Sequence, residues 1–315
     1  MLFLSWRFDD EHVSKIPPDV SRATPARGLA CRERVRYSHA DSLTNWQAKK
    51  GPLMHVCALY YYPIKSCGAV QVDTAEVDAC GLRNDRSLLV IEPDGTFITQ
   101  REHPRLALVK PAIQGDDLTL SAPDMKPLTV VLGTSGTPCN VRIFRDTCVA
   151  VDQGEAAAKW FSAYLNLPCR VVAMAPHYRR PVNPHFAKRP DDQVAFADAF
   201  PFLLISEASL DDLNARMHAP LPMNRFRPNI VITGCEPYAE DTWPSLRIGS
   251  VDFAAAKACV RCTVTTTDQL TTERGDEPLR TLATYRKTDA GVIFGQNLIH
   301  LNRGTIRVGD VVTIG

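Results

Sequence analysis

Two cysteines three positions apart, Cys259 and Cys262, bracket Val260 and Arg261 and run into Thr263-Val264-Thr265-Thr266-Thr267. A thiolate is a soft ligand suited to late or thiophilic metals, and a neighbouring guanidinium favours the thiolate form. Three readings compete for the pair. A structural zinc site needs four ligands, usually from two such pairs, and no second pair occurs in the chain. A thioredoxin-like couple sits at a strand-to-helix turn, whereas the β-branched run after Cys262 opposes a helix. Two inert core cysteines are the third reading, and spacing alone leaves it open.

Four further segments carry groups suited to an anion. Tyr62-Pro63-Ile64-Lys65-Ser66-Cys67 offers an ammonium, a hydroxyl and backbone N–H groups after a proline that fixes the chain, though a loop lysine is ordinarily just solvated. In Gly81-Leu82-Arg83-Asn84-Asp85-Arg86, Arg86 precedes an apolar run, where it either pairs with Asp85 or points at an anion. In the segment from Asn224 to Ile232, Arg227 and Asn229 share one face at period two. A guanidinium beside an amide suits a phosphate or a pterin edge, and a surface salt bridge is the plain alternative. Phe294-Gly295-Gln296-Asn297-Leu298 adds two amides beside a glycine that permits close backbone approach. The formal net charge is +1, so no overall field draws the chain to nucleic acid or an anionic membrane. Any anion must be held by such local clusters. The signatures GxGxxG, GxxxxGK[ST], GxSxG and HExxH are all absent.

The elements that must hold these groups read mostly as strands. His55–Tyr62, Val70–Val77 and Ser87–Ile91 are short apolar runs, and Pro93-Asp94-Gly95 makes a hairpin of 87–100. Leu106–Ile113, Leu118–Ser121, Leu128–Leu132 and Val141–Phe144 continue the pattern, and Thr305–Ile314 reads as a strand pair around Gly309-Asp310. Helices are expected over Glu155–Leu165, over Ser206–Met217 with Ser209 and Asp212 as a capping box, and over Glu277–Arg286. The proline-interrupted basic stretch His177–Asp192 reads as a long loop past which substrate approaches. The sum is an α+β, strand-dominated chain with a barrel-like core and a few covering helices.

The ten cysteines are scattered and no secretion signal precedes them, so a reducing compartment, the cytoplasm, is expected. No run of 18 apolar residues occurs, so no spanning helix is expected. Residues 1–53 show no sustained periodicity; they read as a disordered extension or as an early start site with Met54 the true one.

Taken in order, YPIKSC, GLRNDR, ISEASLDDLN, FRPNIVITG, CVRCTVTTTD, EPLRTLATYR, FGQNL and GTIRVGD resemble the MOSC proteins. They are most like the mitochondrial amidoxime-reducing components and the bacterial relatives that detoxify N-hydroxylated bases. The resemblance covers roughly Met54 to Gly315. It implies a β-rich MOSC N-terminal domain over 54–175, a linker or loop over 176–194 and a MOSC domain over 195–315, with a cofactor in the cleft between them. It implies a molybdenum–molybdopterin cofactor whose metal is held by Cys262, which is also the catalytic residue. Lys65, Ser66, Arg86, Arg227, Asn229, Arg261 and Asn297 match the family's pterin and phosphate contacts. The implied activity is reduction of N-hydroxylated small molecules by oxygen-atom removal. Because no cysteine-rich ferredoxin-like domain follows, electrons are expected from a separate ferredoxin- or flavin-type carrier. The alternative function is a molybdenum cofactor or sulfur carrier in cofactor maturation.

Overall fold

Runs of β-branched and aromatic residues broken by turn signals fold here into sheets. The computed structural model describes residues 53–134 and 136–315; the extension expected over 1–53 lies, apart from Leu53, outside them. Five strands position the site: β1 (His55–Tyr61), β2 (Phe202–Ser206), β3 (Ile230–Thr233), β4 (Val251–Val260) and β5 (Gly291–His300). They lie in a nine-stranded sheet whose order runs Val312–Ile314, Ser245–Ile248, β4, β5, β2, β3, β1, Val70–Val72, with Lys287–Thr288 pairing β5 off this path. β2 and β3 pair in parallel, linked by the helix α2 (Glu207–Ala215) and the loop after it, and the other neighbours are antiparallel.

The sheet curls back on its own first strand. Val56 N–H donates to Asp310 O at 3.0 Å and Val312 N–H donates to Met54 O at 2.9 Å, with His55 bridging Val311. Closure removes a sheet edge and leaves an apolar interior of Val56, Leu59, Phe202, Ile230, Phe253 and Leu298. A four-stranded sheet (Pro138–Ile143, Asp146–Asp152, Arg170–Met174, Leu88–Ile91) and a three-stranded one (Lys110–Gln114, Asp117–Ser121, Leu128–Val131) complete the first half. The helix α1 (Glu155–Leu165) turns Trp160, Phe161 and Tyr164 onto Leu118, Leu120 and Val171. Strand membership does not follow chain order: β1 pairs with β3, and Thr74–Asp78 pairs with Gly304–Arg307. No helix among the described residues is long and apolar enough to cross a membrane.

Several local expectations are corrected. Leu106–Ile113 is not one strand: Pro104 starts a 3₁₀ turn over Pro104–Leu108, and the strand begins only at Lys110. Val70–Val77 breaks at Asp73 into two strands belonging to different sheets. α2 is capped by Ser206, whose side chain accepts from Ser209 N–H, rather than by a box starting at Ser209. Only Leu279–Ala283 of the third expected helix is α-helical. The β-branched run after Cys262 forms a 3₁₀ turn over Thr263–Thr266, in which the Thr265 and Thr266 hydroxyls bond back to the carbonyls of Cys262 and Thr263.

Two expectations about stability follow. Phe253 is fully buried against Phe202, so Phe253→Ala should cost roughly 3–5 kcal/mol in urea unfolding. At the end of β5, His300 is 2% exposed, its Nδ1 has no partner, and burial with Arg189 nearby pulls its imidazole below the ordinary value. The folded chain holds it neutral, while the unfolded chain takes up a proton near about pH 6.5. Its contribution to stability is therefore present above that pH and lost as the pH falls below it. The urea midpoint should drop between about pH 7.5 and 5.5, and His300→Leu should flatten that part of the profile.

Candidate functional site

The turn after β1 carries the first site residues. Lys65 N–H donates to Leu88 O at 2.9 Å, and Ser66 takes a left-handed φ of 70°. Lys65 is 7% exposed; its ammonium donates to Phe196 O at 2.9 Å and pairs with Asp198. Burial pulls Lys65 below its ordinary value, and Asp198 works against that shift.

Next to it stands Tyr62, a buried ring on which two guanidiniums stack: Arg86 at 4.1 Å and Arg227 at 4.2 Å from the ring centre. Burial pushes the phenol up to about 12, so it stays protonated and donates to Pro228 O at 3.0 Å. Arg86 ion-pairs with buried Asp85 at 2.6 Å and donates to Asn229 Oδ1 at 3.1 Å. Asp85 in turn accepts from Tyr62 N–H at 2.8 Å. Asn229 is 1% exposed, and its amide also accepts from Leu203 N–H and donates to Tyr60 O. It therefore acts as a strut between β1, β2 and Arg86. Arg227 differs, because its guanidinium makes no ion pair among the described residues and burial lowers its pKa. Like Ser66, Arg86 and Arg227 hold positive φ, at 46° and 56°. Such non-glycine strain costs about 1–3 kcal/mol per residue and clusters at functional sites.

β4 and β5 supply the facing wall. Gly295 has φ 79°, and a Cβ there would lie 2.9 Å from Leu204 O, so the glycine serves strand packing rather than ligand approach. Asn297 makes no side-chain hydrogen bond among the described residues and faces the cavity. β4 ends at Val260, and Arg261 N–H is tied to Val292 O at 2.8 Å. The Arg261 guanidinium donates to Cys259 Sγ at 3.0 Å and to Phe226 O at 2.6 Å, leaving its buried Nε without a partner. The guanidinium expected to act on Cys262 thus contacts the other thiol. Cys262 itself is exposed and caps the 3₁₀ turn, with Thr265 N–H and hydroxyl both donating to its carbonyl.

All eight predicted residues line one cavity of about 280 Å³: Cys262, Lys65, Ser66, Arg86, Arg227, Asn229, Arg261 and Asn297. Sequence reasoning missed Thr99, Arg101, Asp198, Phe200 and Lys257 on the same wall. The lone carboxylate of Phe196-Ala197-Asp198-Ala199-Phe200 and the lone charge of Ala254–Ala258 were the available signals. Six cationic side chains face the cavity against the single carboxylate of Asp198, in a chain of net charge +1. No group of three or more His, Cys, Asp or Glu side chains converges as a metal site among the described residues. A metal at Cys262 must therefore bring its remaining ligands with it, on a group whose negative charge this cavity would balance. Asp85→Asn should leave Arg86 buried without its counter-charge and cost roughly 3–5 kcal/mol, read as a lower unfolding midpoint.

Residues 53–168 match the MOSC N-terminal beta barrel domain and residues 191–313 match the MOSC domain. The chain is 41% identical over 290 residues to mitochondrial amidoxime-reducing component 1 of Homo sapiens, covering 85% of this chain and 86% of that one. It is 43% identical to component 1 of Mus musculus, covering 82% of this chain and 81% of the mouse protein. With component 2 of Bos taurus the identity is 40%, over 82% of each chain. Identity at this level over most of both chains means that the protein belongs to the MOSC-domain family of the amidoxime-reducing components.

Proposed function

We propose that this protein is a molybdenum-cofactor-dependent oxidoreductase that reduces N-oxygenated compounds, with Cys262 as the protein's ligand to the metal. One observation carries the reading: the exposed Cys262 thiol opens onto a cavity walled by six cations and one carboxylate. An exposed thiol suits a soft metal, and the surrounding cations suit the phosphate and pterin of an anionic organic group. The name of the relatives, amidoxime-reducing component, supports the same substrate class and describes one part of a reducing system.

Each residue has a definable part in this reading. Arg227, which makes no ion pair among the described residues, is a group left to meet negative oxygen. Ser66 and Asn297 add a hydroxyl and an amide at the cavity wall. Lys65, Arg86 and Asn229 are already engaged internally, so they fix the wall and contribute field rather than new hydrogen bonds. When bound, a molybdenum–pterin group supplies two-electron chemistry that cleaves the N–O bond of a hydroxylamine or amidoxime. The polar wall orients the substrate beside Cys262. Electrons are proposed to come from a separate ferredoxin- or flavin-type carrier. The cytoplasmic location expected from the sequence gains no support from relatives whose names place them in mitochondria.

The test is metal and pterin content of protein from a cofactor-competent host, beside benzamidoxime turnover with a chemical reductant. Wild type should carry near-stoichiometric molybdenum and pterin and should turn over. Cys262→Ala should keep pterin through the cationic wall while its metal signal changes and turnover falls to background. Wild type that loads the cofactor without turning over would favour the carrier function, and metal-free wild type would sink the cofactor reading altogether.

A further inference from the structure

The strand β4 places one more charge in the cavity. Lys257 lies directly opposite Asn297 of β5, which lies directly opposite Leu203 of β2. Directly opposed residues of antiparallel strands point to the same face, and all three line the cavity. The register of β4 shifts between Ala255 and Lys257, an irregularity of the kind that re-aims side chains beside active sites.

The surroundings of the Lys257 ammonium are aromatic rather than acidic. It lies 5.1 Å from the ring centre of Phe186 and 5.8 Å from that of Phe200, and it has no ion-pair partner among the described residues. Phe186 belongs to the proline-interrupted stretch 177–192 and packs edge-on against Phe200 at 5.5 Å. The one carboxylate of the cavity, Asp198, is already paired with Lys65. A molecule beside Phe200 and Lys257 therefore meets an apolar face and an uncompensated positive charge.

We propose that Lys257 sets the charge selectivity of the site, favouring uncharged N-oxygenated substrates and expelling their protonated products. This rests on the reductase reading above. An amidoxime is uncharged near neutral pH, whereas an amidine is a strong base and carries a proton. The net change is R–C(NH₂)=NOH plus two electrons and three protons, giving R–C(NH₂)₂⁺ and water. The N–O bond breaks, the oxygen leaves as water, and the electrons come from the carrier protein. A positive charge thus appears on the organic molecule only after reduction, and it appears beside an ammonium that no carboxylate offsets. Repulsion between like charges at this range, partly shielded by solvent, weakens product binding by about three- to tenfold. The uncharged substrate is spared.

The experiment measures calorimetric Kd values of molybdenum-loaded protein for benzamidine, which is cationic, and for its neutral analogue benzamide. Lys257→Met removes the charge at similar length, and Lys257→Arg restores it. Lys257→Met should bind benzamidine about three- to tenfold more tightly than wild type, with benzamide affinity unchanged and Lys257→Arg close to wild type. The benzamidine difference should shrink near 1 M salt, where charges are screened beyond about 3 Å. Equal benzamidine affinity in wild type and Lys257→Met overturns the proposal, as does an equal shift for benzamide. So does loss of pterin from Lys257→Met, which would put Lys257 in the cofactor cradle. Turnover of benzamidoxime by the same wild-type preparation tests the reductase reading separately, because the benzamidine-to-benzamide ratio decides the role of Lys257 without it.

Discussion

Two guanidiniums, Arg86 and Arg227, rest on a single buried tyrosine ring, and much of the surrounding architecture exists to keep these like charges together. Their mutual repulsion in a poorly solvated wall has to be offset. The Tyr62 ring offers its negative face to both, Asp85 neutralises one, and Asn229 ties the assembly to β1 and β2. The left-handed backbone at both arginines turns their side chains towards the same ring. Without that constraint the segments before Leu88 and before β3 would have no reason to meet.

The cavity sorts its cations by whether they have partners. Lys65 and Arg86 are neutralised internally, and Arg261 is held by a sulfur and a carbonyl. Arg227 and Lys257 lie on aromatic rings without carboxylates. A ring tolerates a cation while leaving most of its field available to a third party, which a carboxylate does not. The structural charges are thus separated from those free to act on a ligand.

The strand-dominated fold class was legible, and the eight expected residues, dispersed in sequence, lie together along one cavity. These eight residues lie in short segments whose residue types are dictated by polar contacts, so their order in the chain carried the information. The long strands β4 and β5 were not read, because Ala254-Ala255-Ala256 has little strand propensity and Gly295 interrupts the alternation of β5. The β-branched run after Cys262 was read only as opposing a helix; it forms a 3₁₀ turn because its hydroxyls bond back to the chain. Lys257 was missed because register across strands, not spacing along one, brings it to the cavity.

Closure of the sheet between β1 and the segment before Val312 has a bearing on biogenesis. β1 is completed by Asp310 and Val312, residues far along the chain from it. Contacts so distant in sequence form slowly, since a long loop must close before they return any energy. The cationic wall draws on residues from Lys65 to Asn297 and therefore comes together only once Asn297 has been made. A group that needs the whole wall can therefore be held only by a chain that has already folded as far as Asn297.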